Sequence, residues 1–133
     1  MNNVFEKKLK IDGKTITAKF RITLGGQRAL KEKYDGEVLN LIFQAIDNAE
    51  IMADVFTEAL NYRGNENQIT DGEEMYDLLV DNGCAGVGDF AEILFGLAAK
   101  SGIVSESDAQ SFINKAKGLM DDIIGSLDAP KNE

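Results

Sequence analysis

The sequence has no histidine and no tryptophan, and it has one cysteine and one proline among 133 residues. Without histidine the chain cannot build a Ser-His-Asp triad, a Cys-His pair or an imidazole metal site. One cysteine forms no internal disulfide, and the first residues lack the apolar segment of a signal peptide, so we expect an intracellular protein. These absences favour binding or assembly over catalysis. We predict no catalytic residue, no cofactor and no metal site.

Long apolar runs are also missing, since no stretch approaches the roughly 18 consecutive apolar residues that span a bilayer. We therefore predict no membrane partner. A hydrophobic fraction of 44% and a charged fraction of 28% are instead typical of a folded globular protein. A chain of this length fits one domain with its own core.

The run from Gly83 to Gly88 is the nearest approach to a ligand-binding motif. A dinucleotide-binding loop needs Gly-x-Gly-x-x-Gly after a buried strand, and a phosphate-binding loop needs Gly-Lys-Ser/Thr; neither pattern is present. We interpret the run as a hinge between helices and predict no small-molecule substrate. Cys84 lies inside it with no basic neighbour to lower its thiol pKa, so we expect a small packing residue.

Charge is distributed unevenly along the chain. Residues 1–36 carry nine basic and four acidic side chains, whereas residues 37–133 carry five basic and nineteen acidic ones. The simpler interpretation is that a solvated basic hairpin lies on an acidic body. The more specific one is that the basic face of one copy contacts the acidic face of the next, head to tail. An acidic body repels phosphates, so we predict no nucleic-acid partner. The candidate self-association residues are Lys8, Lys10, Lys19 and Arg21.

Residues 4–22 have the pattern of a β-hairpin. Asp12-Gly13 is a preferred pair for a two-residue type I′ turn, and folding the chain there places Phe5 opposite Phe20. A lone hairpin is marginal in water, so its apolar face must pack on the rest of the chain. That face comprises Phe5, Leu9, Ile11, Ile16, Ala18 and Phe20.

Residues 27–127 have helical periodicity, and we predict an α+β fold in which the hairpin packs on a mainly α-helical body of four to five helices. We assign residues 1–127 to one domain and residues 128–133 to a flexible tail. The first two expected helices run from Gln27 to Tyr34 and from Glu37 to about Tyr62. A third begins at a capping box formed by Thr70 and Glu73. A fourth runs from an N-cap at Asp89 to Ser101-Gly102, and the last begins at Ser105 or Ser107.

The long predicted helix carries four apolar residues at the margin of its main stripe or outside it. Leu39 and Phe43 share one edge, and Ile51 and Val55 share another. Apolar residues this far round a helix indicate either burial on two sides, which is the simpler explanation, or a groove for a partner. These four are our candidate partner-binding residues.

The order of elements resembles the tail assembly chaperones of long-tailed, siphovirus-type bacteriophages and prophages of Gram-positive bacteria. A basic hairpin closed by Asp12-Gly13 leads into Phe20-Arg21-Ile22-Thr23-Leu24, followed by a short and a long helix. A capped helix at Ile69-Thr70-Asp71-Gly72-Glu73-Glu74 and an acidic C-terminal part complete the layout. The resemblance covers residues 4–127 and is one of layout, since no single motif defines it.

The resemblance implies a non-enzymatic protein of the host cytoplasm that is absent from the mature virion. Members of this family coat the tape-measure protein, keep it soluble and recruit major tail protein during tail morphogenesis. The family has no catalytic residues to carry over to this chain. The alternative is a small acidic regulatory or inhibitor module that binds one host protein.

Overall fold

A computed structural model describes the chain from residue 3 to residue 128, with its side chains described as far as residue 118. It confirms the α+β fold of an N-terminal hairpin followed by helices. Six helices form in place of the four to five expected, and the predicted tail beyond Asp128 lies outside the described residues. The elements are β1 (Phe5–Ile11), β2 (Lys14–Phe20), α1 (Leu24–Tyr34), α2 (Val38–Ala45), α3 (Ala49–Leu60), α4 (Gly72–Asp81), α5 (Gly86–Lys100) and α6 (Glu106–Asp128).

The hairpin has the predicted register along its whole length. β1 and β2 pair antiparallel from Phe5 opposite Phe20 to Ile11 opposite Lys14. Asp12 and Gly13 have φ angles of 51° and 80°, the two left-handed conformations that a type I′ turn requires. The turn and the alternation of apolar residues therefore specify one register.

The apolar face of the hairpin packs on α3, α4 and α5. Phe20 is fully buried, and its ring lies 5.6 Å from that of Phe56 on α3. The Phe5 ring occupies the space that a side chain at position 96 would fill, so Gly96 allows β1 to approach α5 closely. The Arg21 N–H donates to the Ala59 carbonyl at 2.9 Å and fixes the end of the hairpin on α3.

The prediction of a single helix from Glu37 to about Tyr62 is wrong, because the chain forms α2 and α3 with a break between them. Asn48 takes an extended conformation at φ −136°, and its Oδ1 accepts hydrogen bonds from the N–H groups of Glu50 and Ile51. An N-cap of this kind stabilises a helix start by about 1 kcal/mol. The apolar spacing of three and four continues across the break, so periodicity alone does not reveal it.

Two of the predicted helix caps are also wrong, by one residue and by four. Asp71, not Thr70, caps α4, and its carboxylate accepts from the Glu74 N–H at 3.0 Å. Asp89 lies inside the first turns of α5, where its carboxylate accepts from the N–H of the N-cap Ala85. Much of the glycine run is therefore helical, and the break expected over residues 82–88 covers only 82–85.

The remaining helix ends are close to those expected. Thr23 caps α1, which starts at Leu24, three residues before the predicted start. Ser105 caps α6, and its hydroxyl accepts from the Asp108 N–H at 3.0 Å. None of the described helices combines the length and the apolar character needed to cross a membrane.

The contact between α3 and α4 depends on the absence of a side chain at Gly72. A Cβ there would overlap the Ala53 carbonyl oxygen and the Thr57 hydroxyl, which accepts the Gly72 N–H at 2.8 Å. Because α4 would have to move away from α3, we expect Gly72→Ala to lower the free energy of unfolding by about 2 kcal/mol or more. Urea unfolding followed by circular dichroism measures this change.

Gly118→Ala is the matched control, since a Cβ at that helical position meets open space. We expect it to raise the free energy of unfolding by about 0.5–1 kcal/mol. Equal effects of the two substitutions would contradict the close packing of α4 on α3.

Candidate partner-binding groove

Three phenylalanine rings from three helices meet at one end of the helical body. Phe43 of α2 lies 5.0 Å from Phe95 of α5 and 4.9 Å from Phe112 of α6, both in edge-to-face geometry. Phe95 and Phe112 are 5.2 Å apart. Edge-to-face pairs add about 0.5–1.5 kcal/mol beyond the burial of their area, so the three rings hold one another in place.

The rings form part of an open groove of about 330 Å³ between α2, α5 and α6. Phe95 is buried at its base, whereas Phe43 is 40% exposed at its mouth. Asp47 and Lys115 provide its charged rim, so the groove is apolar inside and polar at its edge. Its apolar lining comprises Phe43, Ile46, Val87, Phe95, Phe112 and Ala116.

An apolar groove between helices suits the apolar side chains of a partner. Asp47 and Lys115 are its two ionisable lining residues, and both lie at the rim. An amphipathic helix presents apolar residues at spacings of three and four, which fit such grooves. The arrangement therefore suits the binding of an apolar helix face.

The structure separates the four predicted partner-binding residues into two pairs. Phe43 is exposed and Leu39, one turn before it on α2, is half-buried against the core. Ile51 and Val55 are 6% and 0% exposed, so both pack inside the domain. Since these two face the core of the folded chain, Leu39 and Phe43 are the pair that remains near the surface.

Phe95 and Phe112 complete the groove, and the sequence did not mark them as binding residues. Phe112 is at helical spacing with Ile113 and Ala116 in the last helix, a pattern that indicates a core-facing residue. Phe95 lies beside the stripe of Phe90, Leu94 and Ala98, as an aromatic residue outside the main apolar face. Phe43 is a candidate for the same reason, because it lies at the margin of the apolar stripe of its helix.

The four predicted self-association residues lie on the hairpin and directly after it. Lys8 and Lys10 are exposed, whereas Lys19 and Arg21 are half-buried. None of these side chains forms an ion pair with another residue of the described part of the chain. Two strong, unpaired cationic groups are therefore presented to solvent at Lys8 and Lys10.

Cys84 is buried, as expected of a packing residue. Burial, followed by the negative charge of Asp89, raises the pKa of its thiol to about 11. The thiol therefore stays protonated near neutral pH and is a poor nucleophile. Within the described residues, no group of three or more cysteine, aspartate and glutamate side chains is placed to hold a metal ion.

The most strongly coupled ionisable groups are Lys33, Tyr34 and Asp54, which tie α1 to α3. The Lys33 ammonium lies 2.7 Å from the Asp54 carboxylate, and the Tyr34 hydroxyl donates to the same carboxylate. Partial burial raises the pKa of Asp54, but the hydrogen bonds from Lys33 and Tyr34 and the charge of Lys33 outweigh it and leave that pKa lowered. Burial, then the hydrogen bond to Asp54, raises the pKa of Tyr34 to about 12.

Comparison of the chain with models of known protein families, with curated proteins and with solved structures finds no match. The groove at Phe43 combines exposed apolar surface with a defined shape. Leu24 and Val80 are also exposed, but neither lines this groove.

The Tyr34–Asp54 contact predicts how stability depends on alkaline pH. The folded-state pKa of Tyr34, about 12, exceeds the ordinary value of 10.0. A raised folded pKa gives stability that is fully present below the ordinary value and is lost as the pH rises through the folded value. We therefore expect the wild-type protein to lose its stability advantage over Tyr34→Phe between about pH 10 and about pH 12.

Urea unfolding midpoints of both proteins at about pH 9 and about pH 11 measure this difference. Tyr62→Phe is the matched control and should follow the wild-type protein at both values. A constant difference between wild type and Tyr34→Phe would contradict the coupling.

Proposed function

We propose that this chain is a non-catalytic phage tail assembly chaperone whose groove at Phe43 binds an amphipathic helix of the tape-measure protein. The observation that carries the proposal is the 40% exposure of Phe43 against the buried ring of Phe95 and the half-buried ring of Phe112. In this role the chain also recruits major tail protein in the host cytoplasm. The hairpin-then-helix layout is the feature that it has in common with the family it resembles.

The shape of the groove favours a helix as its occupant. Its walls are three helices, and the edge-to-face contacts of Phe43 with Phe95 and Phe112 order its rings before a partner arrives. Ordering in advance reduces the entropy that binding would otherwise cost. An apolar pair three or four residues apart on a partner helix can then bury its side chains against the rings.

The groove is small, so a chaperone of a long chain would need many copies to cover that chain. A volume of about 330 Å³ holds a few apolar side chains at most, so one copy covers a short part of a partner helix. A long helical chain exposes many apolar segments before it is packed. Many copies bound side by side would be needed to keep it soluble, and contacts between copies would strengthen the coating.

We propose that such contacts join the basic hairpin of one copy to the acidic body of the next. Lys8 and Lys10 are exposed and unpaired on the outer face of the hairpin. Glu50, Glu73 and Asp77 are exposed around a hollow of about 390 Å³ between α3 and α4. Opposite charges on different parts of one chain produce a head-to-tail contact, which extends along a partner without closing.

The groove proposal is tested first by substituting Phe43. The tagged chain is purified from cells in which the source prophage is induced, and its partner is identified by mass spectrometry. We expect a very long, helix-rich tape-measure protein carrying many copies of this chain. Phe43→Ser should weaken binding to a purified fragment of that protein by at least about tenfold, because an exposed aromatic anchor is lost.

Leu24→Ser is the control, because Leu24 is 64% exposed and lies on α1 away from the groove. Its affinity should equal that of the wild-type chain. If both variants bind equally, the groove is not the binding site. Recovery of one host protein at equal stoichiometry would instead favour the acidic regulatory module.

Self-association is tested by charge reversal and by salt. The double variant Lys8→Glu, Lys10→Glu should have a lower mass by light scattering than the wild-type chain at low salt. Raising the salt should lower the wild-type mass as well, since exposed charges are screened beyond about 10 Å at 0.1 M. Arg28→Glu with Arg63→Glu is the control with the same change of net charge.

A wild-type mass that is the same from low to high salt would contradict the contact. So would a control that dissociates as far as the Lys8 and Lys10 variant.

A further inference from the structure

Each edge of the hairpin is partly closed by one asparagine side chain. On β1, the Lys10 N–H donates to Asn82 Oδ1 at 2.8 Å, and Asn82 Nδ2 donates to the Lys10 carbonyl at 3.2 Å. On β2, the Lys19 N–H donates to Asn67 Oδ1 at 2.9 Å, and Asn67 Nδ2 donates to the Lys19 carbonyl at 2.8 Å. Each amide therefore takes the place that one residue of a neighbouring strand would have.

The contact with Asn67 shows which main-chain groups of β2 point outward. In an antiparallel pair, alternate residues of a strand direct their N–H and C=O groups to the partner strand or away from it. Because Lys19 points away from β1, Thr15 and Thr17 point the same way. No hydrogen bond joins their outward N–H and C=O groups to any other residue between residues 3 and 128.

A groove of about 270 Å³ lies along this open edge. β2 from Thr15 to Lys19 forms one wall, the loop at residues 66–69 forms the other, and Met75 lies at the base. The hollow near β1 is about half as large, at 140 Å³, and is lined by Lys7 and Leu9, which face the core. Asn82, which closes the edge of β1, also lines that hollow, so the space beside β2 is the larger of these two and the one lined by outward-pointing Thr15 and Thr17.

We propose that the edge of β2 at Thr15 and Thr17 binds an extended segment of a partner protein as a third strand. Two residues of that segment would span about 7 Å at 3.4 Å per residue, which matches the distance along the strand from Thr15 to Thr17. They would satisfy two main-chain donors and two acceptors. Asn67 ends the pairing at Lys19, so the added strand is short.

The side chains around the edge define the chemistry of that segment. On its inner face the added strand would meet Ile16, Ile69 and Met75, so apolar residues fit there. On its outer face the added strand would lie beside Thr15, Thr17 and Lys19, with Lys8 and Lys10 one strand further away on β1. Glu66 lines the opposite wall of the groove, so three lysines against this one acid and Glu6 favour acidic residues on that face. The segment is therefore extended and alternates apolar with acidic residues.

A second copy of the hairpin is a poor occupant of this edge. Its outer face carries three lysines and one glutamate, so it would add net positive charge to the same face of the sheet, which disfavours the contact. This surface is also separate from the groove at Phe43. The inference does not depend on the proposed function.

Two blocked peptides test the proposal directly. The first is a nine-residue peptide that alternates glutamate with valine, and the second has lysine in place of each glutamate. With the first peptide we expect shifted NMR amide signals at Thr15 and Thr17 and slower hydrogen exchange of both amides. The lysine peptide should bind at least about tenfold more weakly, because its charges face the hairpin lysines.

Thr17→Pro removes the outward N–H while leaving the bonds within the hairpin and every charge unchanged. Proline is tolerated at such an edge position, so the variant should keep its circular dichroism spectrum and bind the glutamate peptide at least about tenfold more weakly. Lys8→Pro makes the matched change on the edge of β1. Because Lys8→Pro also removes a positive charge, it is compared with Lys8→Ala. The two variants should bind the glutamate peptide with equal affinity.

The absence of peptide-induced protection at Thr15 and Thr17 in the wild-type protein would overturn the proposal, whatever the stability of the proline variants. Equal binding of the glutamate peptide by wild type and a folded Thr17→Pro would overturn it too. Equal binding of the two peptides would refute the acidic pattern. A failed groove at Phe43 affects none of these readouts.

Discussion

Phe20 lies fully buried between Phe5 of the neighbouring strand and Phe56 of α3, and this contact joins the two parts of the molecule. A two-stranded hairpin has too little apolar surface to be stable by itself in water. Its position is therefore set by the helices, through Phe56 and through the space that Gly96 leaves for Phe5. Once the apolar face is fixed inward, the lysines of the other face and the outer edge of β2 must face solvent. Both proposed contacts of the hairpin depend on this orientation.

The groove at the other end arises from the break between α2 and α3. α2 ends at Ala45 and Asn48 caps the start of α3, so α2 can take its own direction and pack against α5. Phe43 then reaches Phe95 and Phe112, which a continuous straight helix from residue 37 to residue 62 would not ensure. A capping interaction worth about 1 kcal/mol thus determines where an exposed aromatic ring lies.

How far the sequence predicts this structure depends on the range of the interactions involved. The hairpin register was predictable because the Asp12-Gly13 turn and the alternation of apolar residues are local and agree. The break at Asn48 and the cap at Asp71 were not predictable. Several neighbouring polar residues can each cap a helix, and the apolar periodicity does not show which of them does. The burial of Ile51 and Val55, and the meeting of Phe43 with Phe95, depend on contacts between distant helices. Asn67 and Asn82 gave no signal, because an asparagine in a loop is unremarkable until its amide is seen against a strand edge.

Within the described part of the chain, the ionisable groups with shifted pKa values are buried or engaged with one another, whereas the exposed surfaces are suited to binding. The Cys84 thiol is held protonated by burial, and Asp54 is engaged by Lys33 and Tyr34. Neither is presented to a substrate in the way a reactive group must be. What reaches solvent is an apolar groove at Phe43, a pair of free lysines on the hairpin, and unpaired main-chain groups on β2. We propose that these surfaces bind a helix face, an acidic surface and an extended chain respectively, and each surface is small. Affinity for a large partner would then come from several weak contacts made together.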